Sequence, residues 1–127
     1  MLSILILTGS LAFSYCSGNA GMYYQDKNII AMCIPEWTLA YDSTLRHEYG
    51  HYVYFKLLTP EQRQQYQVMW ERDKPYPDRF LRSYSQVNVY EGFADDYAIL
   101  KSKTYKPKNN QFKMRISLIK KLIKTVE

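Results

Sequence analysis

The chain has 127 residues, 46% of them apolar, with thirteen tyrosines and two cysteines. That length supports one compact domain with its own core and excludes a miniprotein that needs a disulfide framework, because roughly two thirds of the surface is buried on folding at this size. The formal charge of +5 is unevenly placed: residues 1–100 carry 8 basic and 11 acidic side chains, while residues 101–127 carry 9 basic and 1 acidic, so the basicity belongs to the C-terminal segment.

The first element is the apolar run Ile4-Leu5-Ile6-Leu7. We read it as a buried strand, Ser3–Leu7, closed by a Thr8-Gly9-Ser10 turn. The rival reading is a secretory leader ending near Ala12-Phe13-Ser14, but the first basic residue is Lys27, so the positive n-region is missing. A cytoplasmic location is therefore favoured over a secreted one, and no membrane span is expected. Cys16 and Cys33 are read as free thiols in preference to a pair. Met22-Tyr23-Tyr24 is a short strand, residues 25–28 a hairpin connection, and Ile29–Ile34 a strand stopped by Pro35. Together these predict a small, largely antiparallel sheet.

Helical signals take over at Asp42-Ser43, either of which can cap a helix that continues to Leu58. Thr59-Pro60-Glu61-Gln62 is a strong helix start, with Thr at N-cap, Pro at N1 and Gln at N3. That helix runs to about Arg72, and Pro75 and Pro77 make residues 73–79 a loop. A third helix is predicted from about Val87 to Lys101, with Val89, Phe93 and Tyr97 on one stripe. The last, about 112–125, places Phe112, Ile116, Ile119, Ile123 and Val126 on one face and lysines on the other. Such a helix docks its apolar face on the domain in preference to lying on a membrane or nucleic acid. Arg79 and Arg82 read as solvated.

The chemistry is concentrated in His47-Glu48-Tyr49-Gly50-His51, which contains both histidines of the chain. Residues i and i+4 of a helix share a face, so two imidazoles there can hold one Zn²⁺ at about 2.0–2.1 Å each. Glu48 points elsewhere and can serve as general base to a metal-bound water. A further ligand must come from another element and leave one position open. Glu91 supplies it, and Asp95, also i+4, can accept the remaining N–H of a ligand histidine.

The two segments His47-Glu48-Tyr49-Gly50-His51 and Glu91-Gly92-Phe93-Ala94-Asp95 resemble the gluzincin metallopeptidases, and the Glu-x-x-x-Asp spacing looks like that of thermolysin. The nearest likeness is to the catalytic domains of anthrax toxin lethal factor and the related Pro-Pro endopeptidases, over about residues 20–100. The resemblance implies an α+β, zincin-like peptidase domain: a small sheet, an active-site helix, a ligand-bearing helix and a C-terminal amphipathic helix. It implies that Tyr84, seven residues before Glu91, supports the oxyanion. It also implies that Ile29, Ile30, Ala31, Met32, Cys33 and Ile34 form the edge strand along which an extended peptide substrate adds. The chain is shorter than the larger members, and its two motifs lie farther apart than in thermolysin.

The expectation is a monomeric zinc metalloendopeptidase with no stable nucleic-acid partner. The alternative is a non-catalytic zincin-like module that works through its basic C-terminal helix, making membrane, nucleic-acid or protein contacts.

Overall fold

A computed structural model describes residues 4–127. The fold is mixed α+β: a three-stranded sheet of β1 (Leu5–Leu7), β2 (Gly21–Tyr24) and β3 (Ile29–Met32) precedes four helices, α1 (Tyr41–Tyr52), α2 (Pro60–Asp73), α3 (Val89–Lys101) and α4 (Asn110–Ile123). No helix among the described residues is long and apolar enough to cross a membrane.

The sheet order is β1-β3-β2, with β3 parallel to β1 and antiparallel to β2. This corrects two expectations. The sheet is half parallel, and Ile29–Ile34 is not an edge. Ile29, Ile30, Ala31 and Met32 form the central strand, buried throughout, and the ladder ends at Met32, before Cys33 and Ile34. A continuous apolar run marks burial of both faces of a strand but does not say how many neighbours pair along its edges, and β3 has one on each side. The edge nearer α1 is β2, whose Gly21 backbone approaches α1 closely: a Cβ there would stand 2.9 Å from Thr44 Cγ2 and 3.2 Å from Glu48 Cγ.

Ser3 lies outside the described residues. Leu5 and Ile6 are 57% and 40% exposed, so β1 is not the buried strand expected; it is the other edge. The turn after it is a short 3-10 turn, Gly9–Leu11, with Gly9 at φ 62°, a left-handed conformation that costs glycine little. Cys16 and Cys33 are joined in a disulfide, which overturns the free-thiol reading. Their sequence positions carry no proximity signal. They meet because the chain between β1 and β3 folds back beside the end of β3, where Ala12, Cys16 and Ala31 form a small buried cluster.

α1 begins one residue before Asp42, with Ala40 at its N-cap and no side-chain cap; Ser43 Oγ donates instead to the Ala40 carbonyl at 3.1 Å. Its α-helical part stops at Tyr52, and Val53–Leu57 continue as a π-type turn. α2 starts as expected: Thr59 and Gln62 exchange side-chain and backbone hydrogen bonds at 3.2 and 2.9 Å. α3 and α4 are capped by Asn88 and Asn109, and the second cap starts α4 two residues before the predicted point.

The core is made by Tyr52, Val53, Tyr54, Leu58, Tyr66, Trp70, Phe80, Phe93, Tyr97, Ile119, Leu122 and Ile123. Through it runs one polar element. Arg115 of α4 is fully buried. It donates to Asp96 of α3, to Asp73 of α2 at 2.8 Å and to the Arg79 carbonyl at 2.7 Å. Tyr66 donates to Asp96 at 2.7 Å. Arg72 and Arg79 also pair with Asp73, so Arg79 is a structural cation and not the solvated side chain expected.

Candidate metal centre

His47 and His51 lie one turn apart on α1, and Glu91 lies in the first turn of α3. The Glu91 amide donates to the Asn88 cap at 2.8 Å. Its carboxylate thus sits at the helix end where the backbone dipole favours negative charge. Glu91 Oε1 is 3.0 Å from His47 Nε2 and 2.9 Å from His51 Nε2. The donor atoms of His47, Glu48 and His51 all lie within 4.8 Å of one another.

Both ring nitrogens of His47 face carboxylates: Nδ1 is 2.7 Å from Asp95 Oδ1 and Nε2 faces Glu91. Burial would lower its pKa, but the bonds to Asp95 and Glu91 outweigh burial and push it up to about 9. Burial, partial for Glu91 and nearly complete for Asp95, opposes ionisation, yet His47 and His51 hold Glu91 well below the usual carboxylate range, and His47, Arg82 and Ser85 hold Asp95 at about 2. Glu48 behaves differently. Burial raises its pKa, against the opposing pull of His47 and His51.

Asp95 is itself fastened. Arg82 donates to both of its oxygens at 2.9 Å, and Ser85 Oγ donates at 2.6 Å. Arg82 was expected to be only solvated, and Ser85 was not singled out. Nothing in the sequence ties either to Asp95, since both stand on an irregular segment whose path is set by packing. Tyr84 is on the same short turn (Ser83–Gln86). Its hydroxyl donates to Glu91 Oε2 at 2.8 Å, the residue is 43% exposed, and desolvation of the hydroxyl, with the bond to Glu91 added, raises its pKa to about 12. The phenol is therefore a donor throughout the neutral range.

His51 has no such fastening. Its buried Nδ1 has no hydrogen-bond partner among the described residues, and its ring packs among Tyr23, Phe55 and Tyr90 at 6.3–6.4 Å between centroids.

His47, His51 and Glu91 could hold a metal ion such as zinc. With His47 deprotonated on binding the ion, two imidazoles and a carboxylate are a normal zinc donor set that leaves a position open. Tetrahedral ligands at about 2.0–2.1 Å stand roughly 3.3 Å apart, so the observed 2.9–3.0 Å separations of Glu91 Oε1 from the two Nε2 atoms need widening by only a few tenths of an ångström.

The group lines a cleft of about 1130 Å³ whose walls include Gly21, Met22 and Tyr23 of β2, Ser43, Thr44, Phe55, Leu81, Arg82, Tyr84 and Tyr90. From β3, the expected substrate strand, no residue reaches it. No family model, curated protein or solved structure matches the chain.

Proposed function

We propose that the protein is a zinc-dependent endopeptidase of zincin-like architecture. The observation that carries the reading is that Glu91 Oε1 lies within about 3 Å of both His47 Nε2 and His51 Nε2, beside a buried Glu48 and along the wall of a cleft. His47, His51 and Glu91 hold the metal. Bound there, zinc supplies a Lewis acid for the scissile carbonyl and lowers the pKa of a coordinated water to about 7.

The protein's own groups do the rest. Asp95 fixes the His47 ring, with Nε2 turned inward, and is itself fixed by Arg82 and Ser85, as outer partners of a metal-binding histidine do. Glu48 accepts a proton from the attacking water and returns it to the leaving amine. Its raised pKa suits a group that must both take and give. Tyr84, free to leave Glu91, donates its hydroxyl to the developing oxyanion. The peptide lies extended beside β2, not β3, because β2 carries the sheet edge at the cleft.

The test is metal analysis coupled to peptide digestion. The expected result is about one zinc per chain and hydrolysis abolished by a chelator. Glu48→Gln should keep the zinc and lose roughly 10²–10⁴-fold in turnover. Full turnover in that variant would remove Glu48 from the mechanism.

A further inference from the structure

The cleft has two unlike ends. It follows α1 from Ser43 and Thr44, past His47 and Glu48, to His51 and Phe55. At the first end the walls are small or aliphatic: Ser43, Thr44, Leu81 and Ala98. At the second, three rings from three elements gather about His51. Tyr23 of β2 and Phe55 stack at 6.4 Å with 9° between planes, and Phe55 and Tyr90 meet at 5.5 Å.

We propose that this second end is a subsite for a large apolar, preferentially aromatic, side chain of the substrate, adjacent to the scissile bond. The inference rests on the peptidase reading above and adds to it a class of substrate.

Three observations support it. Tyr90 is 39% exposed although it lines the cleft beside two other rings, so apolar surface is held open there. Phe55 belongs to the π-type turn that follows α1. Phe55 stands four residues after His51 and so on the same face; π-type turns recur at functional sites. The wall is also built in advance, since the Tyr23 hydroxyl is tied to Asn28 Oδ1 at 3.3 Å and both other rings are carried on helical segments. A bound ring would complete an edge-to-face cluster without moving the backbone.

The rings could instead serve only to hold His51, whose Nδ1 has no hydrogen-bond partner among the described residues. The two roles separate in the exposed residue. If packing on His51 were the whole role, Tyr90→Ala would weaken zinc binding and leave peptide selectivity alone.

The experiment uses a peptide series differing at one position at a time, Phe, Leu, Ala or Ser. Affinity for the Glu48→Gln protein is read by fluorescence anisotropy, and kcat/KM is read on the wild type. One position should favour Phe over Ala by roughly 10-fold or more in both readouts, a range typical of apolar pocket discrimination. In Tyr90→Ala, and in Phe55→Leu, that ratio should fall at least threefold with one zinc per chain retained. A flat profile at every position, or a ratio unmoved in both variants, overturns the subsite. Preferential binding of the Phe peptide by Glu48→Gln, with no cleavage by the wild type, sinks the peptidase reading and leaves the subsite standing.

Discussion

A Cβ on Gly50 would stand 2.9 Å from the Cα of Ala94 and 3.1 Å from its carbonyl oxygen. Gly50 lies between His47 and His51 on α1, and Ala94 between Glu91 and Asp95 on α3. The absence of a side chain at Gly50 is thus what lets the two helices touch where the donors must meet. Gly50→Ala should gain about 1 kcal/mol of helix propensity, yet the contact is with backbone, which cannot swing aside. We expect net destabilisation of about 1–3 kcal/mol and weaker zinc binding, measured by urea unfolding and by zinc competition with a chelating dye. A stabilised variant with unchanged zinc affinity would show that the helices are not limited by this contact.

Tyr84→Phe removes one hydroxyl and little else. Turnover should drop by up to roughly 10²–10³-fold, as for loss of one oxyanion donor, with zinc content and KM nearly constant. An equal loss in KM and zinc would assign Tyr84 to holding Glu91, the partner to which it donates at 2.8 Å.

Asp95→Asn keeps the size of the side chain but no longer accepts from His47, Arg82 and Ser85 with a full carboxylate. Zinc affinity should weaken about 10–100-fold, read by chelator competition, while the fold survives by circular dichroism. Unchanged affinity would mean that helix geometry alone orients His47.

Arg115 is fully buried between Asp73 and Asp96. Arg115→Ala removes the cation from buried Asp96, while Asp73 keeps Arg72 and Arg79, and should cost about 3–5 kcal/mol in denaturant unfolding. A cost below about 1 kcal/mol, the range of an exposed pair, would indicate that water enters the cluster.

Acid stability follows from the same cluster. Burial acts to raise the Asp73 pKa, but hydrogen bonds and charge from Arg72 and Arg115 lower it below 3.8. A lowered carboxylate stabilises the fold above its unfolded pKa, and that contribution is lost as pH falls through the folded value. The difference in urea midpoint between the wild type and Asp73→Asn should therefore hold steady from neutral pH down to about pH 4 and shrink below it. A steady decline beginning near pH 6 would point to a different titrating group.

Much of the local structure was legible in residues close together in the chain. The capping pair Thr59 and Gln62, the strand at Tyr23-Tyr24 and the spacing of His47 and His51 depend on hydrogen bonds and helix pitch that span at most five residues. Rings four apart share a face on any α-helix, whatever surrounds it. The start of α1 was misread because Asp42 and Ser43 are good caps by composition, while Ala40 takes the position through backbone geometry alone.

Only the tertiary structure decided which strand borders the cleft, that Cys16 meets Cys33, and that Arg82 and Ser85 grip Asp95. It also decided that Arg115, written among lysines, is the buried centre of three helices. Each of these depends on where separate elements pack. Packing is fixed by side-chain volume and by the need to pair every buried charge, summed over the whole chain, so no window of neighbouring residues contains the answer.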